Sequence, residues 1–468
     1  GGKSGVTVNI DGAVPSGDLI ISSDFPDGRP TVIAWDRDDD GKLSEGDVGL
    51  PFELTSRGLV INVSLTANRV YSASSVGSND ISTGEISVVP SSFSIVSDVP
   101  LDAISLAATN PYTGLVSAAL RANRSELYPT AYNTPVKAKE NSPPEIWSGR
   151  IEVKKDRVVD RPVIIRAGTE IAMWPGQSLT FFARVEANGT KLSPIRVFPA
   201  DGGAGAWGSF SIVGQKTAGS VLRNLHVEGG SEAVSAGIYF SGMINLHDSQ
   251  DIVVDGLVAS RNLVSDDLVH VVYVDNFLLS NFRLQGARSD AIDVDVSNGV
   301  IRKGFIEGSG NDALDFMASD AFVSDVDLIR SGDKGISVGE KTNILIKSTR
   351  LSQNKIGVEI RDGSRASILS SKFQDNNLHL NAFSKNWRYG GPGHALAWGT
   401  KFSGSSELAT AKDGSSLVIS NSGTKWKSNN PNDGVYVDSN WPKGEVPDLR
   451  AELPDLLARW NLDPTNLR

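Results

Sequence analysis

A mainly β chain built around a parallel β-helix, with a small β domain before it and a short helical cap after it, is what this sequence predicts. Three observations carry the prediction. The first is a repeat: "SDAIDVD", "NDALDF", "DKGISVGE" and "KIGVEIRDGS" restate one pattern, with leading residues Asp290, Asp312, Lys334 and Ile356 spaced 22 apart. Asp267 extends the series backwards with an interval of 23, and Leu378 extends it forwards. A period of this size means stacked units, none of which buries its apolar surface alone. The second is period-2 alternation inside each unit. Two residues after the leader stand Val269, Ile292, Leu314, Ile336, Val358 and Leu380; four after it stand Val271, Val294, Phe316, Val338, Ile360 and Ala382. Those columns face inward from a strand. The third is a Gly/Asn column before each strand (Gly310, Gly332, Asn354, Asn376), read as a left-handed corner. A second apolar patch follows each strand, at Val300, Phe322 and Ile344.

The elements follow in order. Residues 1–100 are rich in Val, Ser, Thr and Gly, with strand-like runs such as "TVIAW" and "GLVINVSL", and read as a β-sandwich-like domain. Residues 101–144 carry a helix-compatible stretch and then the Pro-bearing "NTPVKAKENSPPE", which reads as a connector. Residues 145–400 form the coils. Residues 401–468 are an extension whose "VPDLRAELPDLLARWNLDP" predicts a helix capping an open end.

Composition bounds the function. The formal net charge is −10 and no basic cluster occurs, which excludes nucleic acid as a partner. There is no cysteine, so neither disulfides nor thiol chemistry operates. No apolar run reaches the length of a membrane span. The chain opens on "GGKSG" without a signal peptide and reads as a trimmed, mature protein. A monomer is expected.

One local motif is sharp. In "DRDDDGKLSEGD", residues 36–47, Asp36, Asp38 and Asp40 alternate, and Lys42 holds the seventh position. Gly41 permits the bend, and Asp47 falls at the twelfth position, where Glu is usual. This is the D-x-D-x-D-G pattern of a calcium loop. A solvated acidic turn is the plainer reading. Nothing nearby suggests chemistry, so the expected Ca2+ is structural.

The other strand positions point outward. Three after the leader come His270, Asp293, Asp315, Ser337 and Glu359, with Asn245 before them; five after it come Asp295, Met317, Gly339 and Arg361, with His247 before them. Outer polar residues of a coil are ordinarily solvated, and corner acids ordinarily cap turns. Here Asp267, Asp290, Asp293, Asp295, Asp312 and Asp315 crowd three successive coils. Close like charges are unfavourable without a cation, proton or substrate. The strip from His247 to Arg361 is therefore the candidate site. His270, Asp290, Asp293, Asp312, Asp315 and Lys334 are its catalytic candidates. His247, Asp295, Glu340, Glu359 and Arg361 are its substrate-binding candidates. Asp293, Asp295 and Asp315 are candidate ligands of a divalent cation.

These motifs resemble the right-handed parallel β-helix enzymes of the pectate lyase and polygalacturonase superfamily. The resemblance spans about 145–400 for the fold and about 265–365 for the motifs. Polygalacturonases carry "NTDG", "GDD" and "GHG" on successive coils; "SDAID", "GND" and "DKGISVG" stand at corresponding places here. Asp290 matches the first acid and Asp312 the second acid of the pair. Asn311 replaces the pair's first acid, Lys334 replaces the family's His, and Arg361 takes the place of its substrate-binding basic residue. Those departures remove the usual hydrolase proton donor. The resemblance thus implies a secreted, cell-surface or periplasmic enzyme acting on an acidic polysaccharide, by β-elimination ahead of hydrolysis. In elimination a cation would neutralise the uronate, with Lys334, His270 or Arg361 moving the proton. A C5-epimerase shares that step, but its "DPHD" is absent. A non-catalytic glycan-binding adhesin is the remaining alternative.

The calcium reading has a direct check. Ca2+ is expected to raise the melting temperature of the protein, and Asp36→Ala with Asp40→Ala to abolish that rise. A calcium-dependent melt unchanged by the double substitution would leave the motif a solvated turn.

Overall fold

The computed structural model describes residues 143–468 apart from 201, 203–204, 236–237, 265, 386–390, 405–406, 421–433, 438–447 and 463–468; for 1–142 it gives the backbone of the strands. From Glu145 onward the chain winds into a parallel β-solenoid. One face is an eleven-stranded parallel sheet whose spatial order is the chain order, from Arg157–Val159 to Glu407–Ala411. Its middle strands are Ile244–Gln250, Val269–Asp275, Ile292–Asp295, Leu314–Met317, Lys334–Gly339 and Ile356–Arg361. Two further strands per coil, such as Phe277–Ser280 and Arg283–Gln285, build the other faces. In Asn298–Glu307 and Asp320–Ile329 the two run on as one strand, bent at left-handed Lys303 (φ 53°) and Asp325 (φ 54°).

The apolar columns stack in the expected register. Val269 pairs with Ile292, Ile292 with Leu314, Leu314 with Ile336, and Ile336 with Val358. All are buried, as are Val271, Val294, Phe316, Val338 and Ile360 beside them. β-branched and aromatic side chains suit such a pleated, stacked surface. Each fully buried one contributes about 1.5–3 kcal/mol relative to exposure.

Several expectations are corrected. The Gly/Asn column is not left-handed: none of its four residues has a positive φ. Gly310 and Gly332 are glycine because a Cβ would lie 1.9 and 2.1 Å from the carbonyl oxygens of Arg288 and Gly310, one coil below. Asn354 and Asn376 form a buried ladder instead. Asn376 Oδ1 accepts from Asn354 N at 3.0 Å, and Asn354 Oδ1 from Ser331 N at 2.9 Å. The left-handed column lies at the other end of each strand, at Asp248, Tyr273, Val296, Ala318, Glu340 and Asp362.

The second apolar patch is split. Ile344 faces the core, whereas Val300 and Phe322 face outward. They lie beneath the helix Leu449–Arg459, which packs Leu449, Leu453 and Leu457 on Phe322, Leu345, Leu369, Leu396 and Val418. The helix therefore runs along the flank, fixed by Arg459 to Asp320 and Arg365 to Glu452, and is not a lid on an end. The coils also continue past residue 400, through Ser416–Ser420 to Val435–Val437. In the N-terminal region the strands pair antiparallel in two sheets. Asp102–Thr109, expected within a helix-compatible connector, is a strand paired with Gly17–Asp24, because cross-strand pairing outweighs local propensity.

Leu314→Asp is expected to lower stability by at least about 3 kcal/mol, because it places an unpaired carboxylate inside the stack. Chemical denaturation measures this. An unchanged midpoint would contradict the register.

Candidate active site

The outward rows are in the expected register too. Asn245 pairs with His270, His270 with Asp293, Asp293 with Asp315, Asp315 with Ser337, and Ser337 with Glu359. Two residues on, Val272 pairs with Asp295 and Asp295 with Met317. Because Asp293 and Asp295 flank inward Val294, both leave the same face of one strand.

The corner acids are tolerated because backbone amides meet them. Asp290 Oδ1 accepts from Asp312 N at 2.7 Å and from Asn311 Nδ2 at 2.9 Å. Asp312 Oδ1 accepts from Lys334 N at 2.8 Å. Each corner thus hands its free amide to the acid one coil below. Lys334 Nζ stands 3.6 Å from Asp312 Oδ2 and pairs with Asp333, which also holds Lys355 at 3.0 Å. Amides and one ammonium do not fully compensate the crowding. Burial, then the charges of Asp315, Asp267 and Asp312, push the Asp290 carboxyl well above its ordinary range. Burial and the Asp315 charge push Asp312 up to about 7, against the pull of Lys334.

At the centre of the strip is Asp315. It is half-buried, and its Oδ1 has no hydrogen-bond partner. Next along is Glu340, whose left-handed backbone (φ 48°) follows the strand Lys334–Gly339. Burial pushes its carboxyl up to about 7; Arg361 lowers it, and the charges of Asp315 and Asp362 raise it. Three raised carboxyls, Asp290, Asp312 and Glu340, therefore all feel the charge of Asp315. Arg361 reaches back over the preceding coil. Its Nη1 donates to Ser337 Oγ; Glu340 Oε2, Asp362 Oδ2 and Glu359 Oε1 surround the guanidinium at 3.5, 3.7 and 3.8 Å. Gly339 makes room: a Cβ there would lie 2.9 Å from Arg361 Cζ.

On the other side lies an imidazole cluster. Ser241 Oγ donates to Asp267 Oδ2 at 2.7 Å and lies 3.0 Å from His270 Nδ1. His247 Nε2 is 3.3 Å from His270 Nδ1, and His270 Nε2 is 3.5 Å from Asp295 Oδ2 and 3.7 Å from Asp293 Oδ2. Among the described residues, two sets bring ligand atoms within 4.8 Å of one another: Asp267, His270 and Asp293, and Asp266, Asp267 and Asp290. Oxygen donors with one imidazole suit a divalent cation such as Zn2+ or Mn2+. This set shares Asp293 with the expected one but replaces Asp295 and Asp315.

The structure gathers all the candidates on one strip but changes several roles. His247 and His270 are fully buried, and Asp295, Glu359 and Arg361 nearly so. The expected contact of His247, Asp295 and Glu359 with substrate gives way to support of their neighbours. Arg361, expected to hold an anionic sugar, is already surrounded by three carboxyl groups. For Lys334, burial pulls the ammonium's pKa down, but Asp312 and Asp333 outweigh it and the net direction is up. A base lysine needs the opposite shift. Burial opposes the Arg361 charge, and Glu340 leads the carboxylates that drive its pKa upward. Ser241, Asp266, Asp333 and Asp362 went unmarked in the sequence, since none stands in the strand columns. Of the calcium motif 36–47, residues 37–47 lie outside the described residues. Its flanking strands Ile33–Asp36 and Val48–Gly49 pair antiparallel, with Trp35 opposite Val48.

Residues 242–405 match the family described as right handed beta helix region, so the expected fold is met over the coils that carry the site. Comparison with curated proteins finds no significant match. Among solved structures, the chain is similar to an alginate lyase from Paenibacillus sp. str. FPU-7 (13% identity, 53% of this chain and 97% of that one, TM-score 0.32). It is similar to endopolygalacturonase I from Stereum purpureum (10%, 58% and 92%, TM-score 0.33). It is also similar to the catalytic unit of a GH87 alpha-1,3-glucanase from Streptomyces thermodiastaticus strain HF3-3 (10%, 94% and 86%, TM-score 0.34).

The raised carboxyls make stability fall with pH. Between the ordinary Asp value of 3.8 and about 7, folded Asp312 keeps a proton that the unfolded chain releases. Glu340 does the same between 4.5 and about 7. The folded state binds more protons there, so stability from these groups is full below about pH 4 and lost through pH 7. Asp312→Asn with Glu340→Gln is expected to flatten that decline in melting temperature. A wild-type melt rising over the same window, with the same slope in the variant, would refute the assignment.

Proposed function

We propose that the protein is a glycoside hydrolase acting outside the cell on a neutral polysaccharide. One observation carries this reading: Asp315, half-buried and with its covered Oδ1 unpaired, stands among carboxyls that keep protons to about pH 7. Glycoside hydrolysis needs a carboxylate and a carboxylic acid in one site. In this reading Asp315 is the base or nucleophile. Glu340, less buried than Asp312, donates the proton to the leaving oxygen. Asp312 helps to keep Lys334 in place, through the Lys334 amide and its ammonium. Asp293 is open enough to accept from sugar hydroxyls.

Hydrolysis is favoured over elimination because Lys334 and Arg361 are held protonated by carboxylates. Neither is a ready base, and neither is free to neutralise a uronate. The second reading, a lyase on an acidic glycan, has one observation in its favour. Asp267, His270 and Asp293 could hold the cation that elimination requires.

The test is a panel of neutral and acidic polysaccharides, followed for reducing ends and for the ultraviolet absorbance of unsaturated uronides. New reducing ends without that absorbance are expected; absorbance that grows with them, and needs a divalent cation, would establish the lyase. Asp315→Asn and Glu340→Gln are each expected to cost about 10²-fold or more in rate while still folding. The wild-type rate should fall as pH rises through about 7, where Glu340 loses its proton, and Glu340→Gln should lack that limb. Full activity in both variants would remove the site from the strip.

A further inference from the structure

The strip is not open along its length. The outward row runs through Thr180, Ser211, Asn245 and His270, and all four are fully buried. Outward side chains of a solenoid are covered only when something lies over them. Among the described residues, the cover comes in good part from the connection 229–243, between the strands Leu225–Glu228 and Ile244–Gln250, apart from 236–237. It is more than twice as long as its counterparts 286–291 and 308–313 in later coils. It carries an antiparallel pair, Ala233–Ser235 with Ile238–Phe240.

The connection is seated on the row it covers. Ser235 Oγ meets Thr180 Oγ1 at 3.0 Å, and Ser231 N donates to Gly208 O at 2.9 Å. Asn245 and Gly242 bond each other twice, at 3.1 and 2.7 Å. Ser241 binds Asp267 and His270, and the Phe240 ring packs on His247 at 5.3 Å. Trp207 Nε1 holds Glu228 O at 2.8 Å, at the foot of the wall. The row then opens at Asp293, with 19% of its side chain exposed, and at half-buried Asp315. Beyond them Ser337 is buried under the Arg361 guanidinium, and polar positions re-emerge at Asn381 and Thr410.

We infer that the protein acts on the end of a glycan chain, releasing one or two sugars, and does not cut within it. The inference rests on the catalytic reading of Asp315 given above. The wall ends at the coil of His270, so Asp315 lies two coils from it, roughly 10 Å at ~4.8 Å per coil. That gap admits a terminal sugar or two, and the wall blocks any chain that continues past it. The rest of the polymer leaves on the far side, over Arg361 toward Asn381 and Thr410.

The experiment compares linear neutral glucans, galactans and mannans with cyclic glucans, which have no ends, and sizes the first products. Mono- or disaccharide from a linear glycan, with no cleavage of the cyclic one, is expected. Mixed longer oligosaccharides at early times, or cleavage of the ring, overturn end action even if hydrolysis is confirmed. Short unsaturated products from an added uronan would instead sink the hydrolase reading and leave end action standing. No turnover of any glycan overturns both.

Discussion

Everything in this molecule depends on coils stacking in register. With that constraint each side chain lies ~4.8 Å from its counterparts above and below. For apolar residues the constraint makes the core: Val269, Ile292, Leu314, Ile336 and Val358 form one buried column. For acids it forces proximity that free side chains would avoid. The corners relieve part of it by giving each acid the amide of the next coil, as Asp290 receives from Asp312 and Asp312 from Lys334. The rest of the charge is relieved by keeping protons. The carboxyls with perturbed affinity are therefore a product of the stacking itself, and the chemistry proposed for the strip is what that product can do.

The charge arrangement also constrains what the strip can welcome. Lys334 and Arg361, the cations of the strand columns, lie against carboxyl groups of their own coil or a neighbouring one. They balance the scaffold and leave little positive field for an anionic ligand. The partly exposed groups, Asp293 and Asp315, are acceptors, and hydroxyl-rich sugars supply donors.

Much of this was legible in the sequence, because a repeat converts one-dimensional spacing into three-dimensional neighbours. The leaders at 290, 312, 334 and 356 sufficed to place Asp293 beside Asp315 and Ser337 beside Glu359. What escaped was whatever does not repeat. The connection 229–243 occurs once, so no period marks it, and it helps to bury His247 and His270, which looked available. The Gly229-Gly230 pair was a signal: a Cβ on Gly230 would collide with Trp207 and Met243. Corner chemistry was misassigned for another reason. Glycine serves both left-handed turns and close backbone approach, and letters alone do not separate them. At Gly310 and Gly332 the approach of the carbonyl below decides.

The flanking helix alters how such a stack comes apart. A solenoid is nearly one-dimensional: each repeat contacts its neighbours, and terminal repeats can peel away singly. Leu449–Arg459 lies across the coils, touching strands from Phe322 to Val418, and Arg459 grips Asp320, which is 139 residues earlier in the chain. The last coils cannot fray without either dragging the helix off five others or leaving its leucines in water. A chain whose contacts are otherwise local is thus fastened lengthwise, like a spine stitched across the folded pages of a book.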